Sequence, residues 1–356
     1  MKKIYFQIAV YLLIATFFFI VVALDVLNGK LEFQFYSDTA TWIDEAIYGG
    51  HGDDLTMLNR NELGPVTILR WLGPKNYWAM FLFNVIVFLL SLYILSKDKD
   101  LNIKTMSFYI MISPITFSSL LSANKEIFAL ICTCLIIYNH KAKNIFLVFL
   151  ILVLSYMARW QYTLFYIIYL LLFSKLNFIK SRLLSITLLL LGATVGLLIF
   201  QYTLLGDVFL KYTFEREMFG DNYEGAGTYL KLLEIQSTYG YIFAFIPKTL
   251  LILVARIKMY DHIFDFSDAY NNTVLFFQTV LHIFVIYKCY VNKVYSLEKN
   301  TFLYIAIIYF VVFGMTPIFN PRYFYPAIIF ICYELSRKKV VKKKYDVDSP
   351  LEYAKM

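Results

Sequence analysis

The sequence predicts an all-α integral membrane protein with about ten transmembrane helices, from its composition and from the length of its apolar runs. Hydrophobic residues make up 60% of the 356 positions, and aromatic residues make up 19%. A water-soluble fold cannot bury so much apolar surface. The apolar residues also gather in runs of about 15 to 22 residues, long enough for a helix to cross a hydrocarbon core of about 30 Å.

Ten apolar runs account for the predicted spans. The first run, from Ile4 to Leu24, is longer than a signal-peptide core and is not followed by a cleavage site, so we interpret it as a retained helix. The runs begin near Ile4, Tyr77, Met106, Ile127, Ile145, Thr163, Leu183, Val274, Thr301 and Tyr323. Together they predict one polytopic membrane domain, 1–336, followed by a basic cytoplasmic tail, 337–356.

Two of the predicted connections, the outer loops 25–76 and 206–273, are long and rich in carboxylates, tyrosines and glycines. The second loop includes a further apolar stretch, 241–258 (YIFAFIPKTLLILVARIK), and counting it as a span would reverse the orientation of every later helix. We predict instead that 241–258 forms an interfacial or re-entrant helix on the outer face. In such a helix the long side chain of Lys248 would reach water.

The distribution of basic residues supports this interpretation. With 241–258 not spanning, the cytoplasmic segments hold 20 of the 33 Lys and Arg residues but only 7 of the 25 Asp and Glu residues, as the positive-inside rule expects. Both termini are then cytoplasmic. Attraction to anionic membrane lipid explains the basic segment RKKVVKKK of the tail, and we expect no nucleic-acid partner.

Four ionisable residues stand at the short outer turns, where helices enter the bilayer. The turns are LLSANKEIF, YMARWQYTLF and IFNPRYFYPA, and they contain Lys125, Glu126, Arg159 and Arg322. An ionisable side chain at that depth is costly unless it faces a cavity or a partner, so we predict one shared cavity on the outer face. The alternative for any single cation is a side chain that simply extends to interfacial water.

The residue types in these turns favour a phosphate ligand. Arginine presents a planar fork of donors that matches phosphate oxygens, and it keeps its charge when partly desolvated. We therefore predict that Lys125, Arg159 and Arg322 bind a pyrophosphate group, with a contribution from Arg256 or Lys248.

A carboxylate close to these cations would be held in its charged form, which suits a base that takes a proton from a hydroxyl group. Asp38 and Glu126 are the two candidates. Asp38 has an alternative role at the N-terminus of the short helix TATWIDEAIY, where Ser37 or Asp38 would act as a cap. Glu126 has an alternative role as the ion-pair partner of Lys125 or of an arginine.

The sequence predicts no cofactor. All four cysteines lie inside apolar runs, without His or carboxylate residues at metal-ligand spacing, so we expect neither a disulfide framework nor a cysteine metal site. The segments HGDD and DHIFDFSD bring His and Asp together in the outer loops, which leaves a divalent metal as a minor alternative.

Several stretches of the chain resemble a known group of membrane enzymes. YSDTATWIDEA, followed by NELGPVTILRWLG, resembles the first outer loop of type C (GT-C) membrane glycosyltransferases. SPITFSSLLSANKEIFAL, ARWQYTLFYIIYLL and FIPKTLLILVAR are similar to segments of polytopic proteins from bacterial polysaccharide clusters. Those proteins include the repeat-unit polymerases of O-antigen and capsule. The resemblance is spread over most of the chain in short motifs.

The resemblance implies an enzyme of the bacterial cytoplasmic (inner) membrane that joins polyprenyl-pyrophosphate-linked oligosaccharide repeat units on the outer face. The sugar transfer would be inverting and would need no nucleotide-sugar site. By the family's pattern, Asp38 matches the acidic residue that serves as base, and Arg159 and Arg322 match cations that contact the donor phosphates.

The expected partners are the polyprenyl-linked oligosaccharide, membrane lipid, and a chain-length regulator or a flippase. Aromatic side chains of the outer face, such as Trp42, Trp160 and Tyr223, would stack on sugars. An ordinary interfacial aromatic belt explains the same residues equally well.

Two alternatives stay open. A GT-C transferase that adds a single branch sugar from a polyprenyl-phosphate donor would use the same cations. A flippase or transporter for lipid-linked sugars belongs to another class, and it would need ionisable residues near the bilayer midplane and usually repeated halves. Lys288 and His282 are the nearest candidates for such residues, and no internal repeat is visible in the sequence.

Overall fold

The structure is a computed structural model that describes residues 2–30, 39–48, 63–175, 177–201, 226–254, 256–264, 270–316 and 320–338. Apart from one isolated antiparallel bridge between Leu101 and Arg337, all regular elements in these ranges are helical. The all-α part of the prediction is therefore confirmed for the described residues.

The helices are numbered here in chain order. They are α1 Lys2–Phe18, α2 Thr39–Tyr48, α3 Leu63–Leu72, α4 Tyr77–Ser96, α5 Ile103–Met111, α6 Pro114–Leu121, α7 Glu126–Ala142, α8 Ile145–Ala158, α9 Trp160–Phe173, α10 Arg182–Gln201, α11 Ala226–Thr238, α12 Tyr241–Val254, α13 Leu275–Val291, α14 Thr301–Gly314 and α15 Tyr325–Ser336. The π-helical turn Phe19–Ala23 and the short helix Leu24–Leu27 continue α1, and the π-helical turn Tyr270–Val274 leads into α13. Short 3-10 turns occupy Ile257–His262 and Pro321–Phe324.

Three helices form the centre of the bundle. Most residues of α7, α14 and α15 are buried, and the buried positions lie on all faces of each helix. Helix α7 packs against α4, α8 and α15, and α14 packs against α9 and α15. Helices that are apolar all round are expected in the interior of a bundle rather than at its surface.

The peripheral helices expose large apolar side chains. Phe6 and Leu13 of α1, Phe146 of α8 and Leu183 of α10 are each more than 60% exposed. Monomeric water-soluble proteins rarely expose extended apolar patches. A bundle that is apolar both inside and outside is compatible with a helical membrane protein.

In the part of the chain that the structure describes, four helical segments are long and apolar enough to cross a membrane, namely Ile4–Leu27, Tyr77–Ser96, Arg182–Ile199 and Tyr270–Val291. Other predicted spans correspond to shorter helices, such as α8, α9 and α14, which have 14 residues each. At 1.5 Å per residue, such a helix extends only about 21 Å. The total of ten spans therefore stays a prediction.

Local interruptions explain some of the shorter helices. The run that begins near Met106 is divided into α5 and α6, because Pro114 starts a new helix and the Ser113 side chain caps it. The backbone of Arg159 is extended and separates α8 from α9. An apolar run in a sequence does not reveal breaks of this kind.

Helix α12 lies within the predicted interfacial or re-entrant segment 241–258, and it packs against α10, α11, α13 and α14. The prediction that Lys248 reaches water is wrong. This side chain is fully buried, and its Nζ atom donates hydrogen bonds to Oε1 of Gln236 (2.7 Å) and to the carbonyl oxygen of Thr316 (2.8 Å). Lys248 therefore links α12 to α11 and to the end of α14.

Loops that were predicted to share one side of the membrane contact one another. Lys141, in the last turn of α7, pairs with Asp98 and Asp100 of the α4–α5 loop. Arg182, at the start of α10, donates to the carbonyl oxygen of Leu297 in the α13–α14 loop. All of these residues belong to the predicted cytoplasmic side. Glu126, the first residue of α7, lies at the opposite end of that helix from Lys141. The cytoplasmic location itself stays a prediction.

Candidate anion-binding site

The structure brings Lys125, Glu126, Arg159 and Arg322 together at one end of the bundle. Only 2% to 8% of each residue is exposed. The four residues come from three turns that are far apart in sequence and that precede α7, α9 and α15. Each turn is fixed by its own hydrogen bonds.

The turn between α6 and α7 is held by side chains from two other helices. The amide of Asn84 in α4 donates to the carbonyl oxygen of Ser122 (2.8 Å). The hydroxyl group of Thr39, the first residue of α2, donates to the carbonyl oxygen of Ala123 (2.9 Å). Both bonds satisfy carbonyl groups that follow α6, and they thereby set the position at which α7 begins.

Arg159 is the single residue between α8 and α9. Its backbone is extended, with φ −170° and ψ 139°, and its amide donates to the carbonyl oxygen of Ser155 (2.8 Å). Helix α3 approaches this junction closely, since a Cβ atom on Gly64 would overlap the carbonyl oxygen of Met157. The absence of a side chain at Gly64 therefore allows α3 to pack beside the residue pair that precedes Arg159.

Arg322 lies in the 3-10 turn Pro321–Phe324, directly before α15. The side chain of Asn320 accepts a hydrogen bond from the Arg322 amide (3.0 Å), and the carbonyl oxygen of Asn320 accepts one from the Tyr323 amide (3.2 Å). Pro321 restricts φ at the first position of the turn. The turn is therefore well defined before α15 begins.

The carboxylate of Glu126 links the two arginines. Its Oε1 atom forms an ion pair with Nη2 of Arg159 and lies 3.9 Å from Nε of Arg322. Its Oε2 atom is buried and accepts no hydrogen bond from any residue that the structure describes. Glu126 therefore takes the ion-pair role that the sequence left open.

Two tyrosines that the sequence analysis did not single out lie against the arginines. The guanidinium carbon of Arg159 is 3.9 Å from the ring centroid of Tyr323, and that of Arg322 is 5.4 Å from the same centroid. The guanidinium carbon of Arg322 is also 5.9 Å from the ring centroid of Tyr270. Aromatic faces stabilise cations at these distances. The adjacency of Tyr323 to Arg322 was the signal in the sequence.

Lys125 is the third cation, and it has no hydrogen-bond acceptor or ion-pair partner among the described residues. Its Nζ atom lies 5.5 Å from the ring centroid of Trp42. Burial lowers the pKa of Lys125, and the positive charge of Arg159 lowers it further. A charged group on a largely buried side chain is costly without an acceptor, so an anion beside it would be stabilising.

Charge and helix geometry act in the same direction at this site. Within the described residues, three cations stand close to one carboxylate. Helices α7, α9 and α15 all begin here, and the unsatisfied backbone amides of helix N-termini add partial positive charge. Such an arrangement is suited to a phosphate or carboxylate group.

Comparisons with protein-family models, with curated proteins and with solved structures found no match for this chain. The resemblance to GT-C glycosyltransferases therefore stays an expectation from the sequence.

The two predicted sugar-binding tryptophans are placed differently. Trp42 is buried in a small apolar cluster that includes Val66 and Ala123, and its ring lies against Lys125. Trp160, the first residue of α9, is 44% exposed. In this structure Trp42 is thus part of the packing around the site, whereas Trp160 exposes much of its ring. Stacking on sugars stays a prediction for both.

The other predicted residues lie beside the site or outside the described residues. Nη2 of Arg256 donates to Oδ1 of Asn271 (3.3 Å), which follows Tyr270 in the π-helical turn. Asp38 and Tyr223 fall outside the described residues. Within the ranges that are described, no group of three or more His, Cys, Asp or Glu residues is arranged to hold a metal ion.

Proposed function

We propose that this protein is a membrane glycosyltransferase that joins oligosaccharide repeat units carried on polyprenyl pyrophosphate, during synthesis of a bacterial surface polysaccharide. The acceptor hydroxyl oxygen would bond to the anomeric carbon of the donor as the bond from that carbon to pyrophosphate breaks. The observation that carries the proposal is the largely buried side chain of Lys125, which lacks an acceptor among the described residues and lies beside two arginines joined by one carboxylate.

The three cations suit a pyrophosphate leaving group. Negative charge develops on the leaving oxygen as the bond to the sugar breaks, and preorganised positive groups in a water-poor site stabilise that charge. The guanidinium forks of Arg159 and Arg322 match phosphate oxygens, and Lys125 adds a compact charge. Glu126 allows the two arginines to stay close despite their like charge.

A carboxylate would accept the proton of the acceptor hydroxyl group. Asp38 and Glu126 are both retained as candidates, the first from the resemblance and the second because its Oε2 atom has no partner among the described residues. The two roles are separable. Loss of the base should leave binding of inorganic pyrophosphate intact, whereas loss of the carboxylate that links the arginines should change it.

The proposed location is the bacterial cytoplasmic membrane, with both termini in the cytoplasm and the cation cluster at the outer boundary. In this arrangement the shorter central helices would cross the membrane inside the bundle, surrounded by protein, to give about ten spans. The positive cluster would then meet the headgroup of a lipid-linked substrate at the level where its phosphates lie.

One structural observation favours the flippase alternative. Helices α5 and α6 form a broken helix, and Lys248 and His282 are fully buried within helices. Discontinuous helices and buried ionisable residues are typical of transporters. The predicted clustering of cations at one face argues for the transferase, because a transporter site is expected near the bilayer midplane.

A gel of the surface polysaccharide from a strain lacking the gene tests the proposed function. We expect long chains to disappear while single repeat units remain. The wild-type gene should restore the long chains. Chains of normal length that lack one sugar in every repeat would identify a branch-sugar transferase. Repeat units that accumulate without reaching the outer face would identify a flippase.

A further inference from the structure

We propose that Tyr323 is a positioning residue of the anion site, and that its aromatic face holds Arg159 and Arg322 in the arrangement that receives the anion. The inference rests on the proposed anion binding and is independent of which sugar is transferred. Tyr323 would act through the two arginines rather than by touching the anion.

Among the described residues, Glu126 and Tyr323 each contact both arginines. The Oε1 atom of Glu126 pairs with Arg159 and lies 3.9 Å from Nε of Arg322. The ring centroid of Tyr323 lies 3.9 Å and 5.4 Å from the guanidinium carbons of Arg159 and Arg322. Two guanidinium groups repel each other, so each shared contact lowers the cost of keeping them close.

The ring of Tyr323 is fixed by the fold around it. Its backbone amide donates to the carbonyl oxygen of Asn320 (3.2 Å), and its ring centroid lies 6.5 Å from that of Phe313 in α14. The turn that contains it leads directly into α15, one of the three central helices. Tyr323 therefore presents a fixed aromatic surface to Arg159, which comes from a distant part of the chain.

The choice of substitutions follows from this geometry. Phenylalanine keeps the aromatic face of residue 323, whereas leucine keeps a large apolar side chain without the ring quadrupole that attracts cations. Phe324 provides a matched control in the same turn. It is buried, and its ring packs against Phe310 with 4.7 Å between centroids.

The test is isothermal titration calorimetry of the purified full-length protein with inorganic pyrophosphate, using wild type, Tyr323→Phe, Tyr323→Leu and Phe324→Leu. Thermal unfolding of each variant in the same detergent accompanies the titrations. We expect Tyr323→Leu to bind about tenfold or more weakly, because cation–π contacts are strongest when desolvated. We expect Tyr323→Phe to lose much less affinity than Tyr323→Leu, because phenylalanine keeps the aromatic face and loses only the hydroxyl group that interacts with the Arg322 side chain. We expect Phe324→Leu to stay within about twofold of wild type, since it removes no cation–π contact.

Equal binding by Tyr323→Leu and wild type would overturn the inference. Equally weak binding by Phe324→Leu would also overturn it, because packing of the turn would then explain the loss. If Tyr323→Phe were as weak as Tyr323→Leu, the hydroxyl group rather than the aromatic face would be responsible. These three results leave the anion site itself standing. Absence of pyrophosphate binding by wild type would instead overturn the anion site, and the role of Tyr323 would fall with it.

Discussion

Two buried lysines show how different the surroundings of the same residue type are in this protein. Lys248 is fully buried, and it donates hydrogen bonds to Gln236 and to the carbonyl oxygen of Thr316. Lys125 is also buried, but no described residue accepts a hydrogen bond from it. Lys248 therefore links helices, whereas the proposed anionic ligand would account for the position of Lys125.

Substitution of Lys125 by methionine should separate stability from ligand binding. Methionine has a similar length and no charge, so the ligand-free protein should be as stable as wild type or more stable. Affinity for inorganic pyrophosphate should fall about 10- to 100-fold, the amount expected for one lost charged hydrogen bond. Thermal unfolding and calorimetry on the purified variant measure both effects.

Lys75→Met is the matched control for this prediction, because Lys75 is exposed in the predicted outer loop 25–76. It should change neither quantity measurably. A Lys125→Met protein that is much less stable than wild type, with unchanged pyrophosphate affinity, would assign Lys125 a purely structural role.

The sequence predicted the grouping of Lys125, Glu126, Arg159 and Arg322, since all four stand at turns expected on one side of the membrane. It did not predict the contacts of Tyr323, because the ring meets Arg159 only after distant parts of the chain fold together. The burial of Lys248 was missed for a related reason. Hydrophobic periodicity shows that a helix is amphipathic, but it does not show that an acceptor from another helix will meet a buried cation.

At the scale of elements, the junction that contains Arg159 depends on the close approach of α3 to the end of α8. A Cβ atom on Gly64 would overlap the carbonyl group of Met157. By contrast, nothing lies within 4 Å of a Cβ atom built on Gly196 in α10. Both glycines therefore lie in helices, but Gly64 is tightly packed and Gly196 has open space beside it.

Gly64→Ala should lower stability by about 1 to 3 kcal/mol, because the added methyl group forces a backbone shift. It should also weaken pyrophosphate binding, since the shift occurs two residues before Arg159. Gly196→Ala should leave stability unchanged or raise it by up to about 1 kcal/mol through helix propensity. Thermal unfolding and calorimetry compare the two, and a Gly64→Ala protein as stable as Gly196→Ala would contradict the packing described.

The α4–α5 loop fastens the other end of the bundle. Asp98 accepts hydrogen bonds from Nζ of Lys141 (2.7 Å) and from the hydroxyl group of Tyr333. Burial alone would raise the pKa of Asp98, but hydrogen bonds from Lys141, from Tyr333 and from the Asp100 amide outweigh burial and hold the pKa below its usual value. The folded protein therefore favours the charged carboxylate.

This shift predicts a pH dependence of stability. Because the pKa of Asp98 is lower in the folded protein than in the unfolded chain, the stabilisation is present at neutral pH and is lost as the pH falls below about 4. Asp98→Asn should lower stability at neutral pH and reduce its loss in acid, as measured by thermal unfolding across pH. Asp100→Asn, at an exposed position that also pairs with Lys141, should lower stability at neutral pH to a smaller extent. Identical pH curves for wild type and Asp98→Asn would contradict this account.

The elements themselves were only partly predictable from the sequence. Apolar runs located the helices, because each helix of the bundle must be apolar where it meets protein or lipid. They did not locate the helix ends at Ser113 and Arg159, which are set by a cap and by an extended backbone. Run length therefore overestimated helix length, and four segments among the described residues reach the length of a membrane span.

At the scale of the whole molecule, the predicted orientation is measurable because Cys132, Cys134, Cys289 and Cys332 are all buried. Single cysteines at Lys75 and Lys99, both exposed, probe the predicted outer and cytoplasmic sides. A membrane-impermeant thiol reagent should label Lys75→Cys in intact cells and Lys99→Cys only after permeabilisation. Labelling of Lys99→Cys in intact cells would put the cation cluster on the cytoplasmic side.

The central claim is that the buried cluster promotes transfer from a pyrophosphate-linked donor. Its most direct test is the rate at which purified protein in proteoliposomes releases polyprenyl pyrophosphate from a lipid-linked repeat unit. Wild type and Arg70→Ala, which removes an exposed arginine of α3, should release it at equal rates, while Arg322→Ala should be about a hundredfold or more slower. Release by Arg322→Ala at the wild-type rate, with equal amounts of folded protein, would contradict the claim.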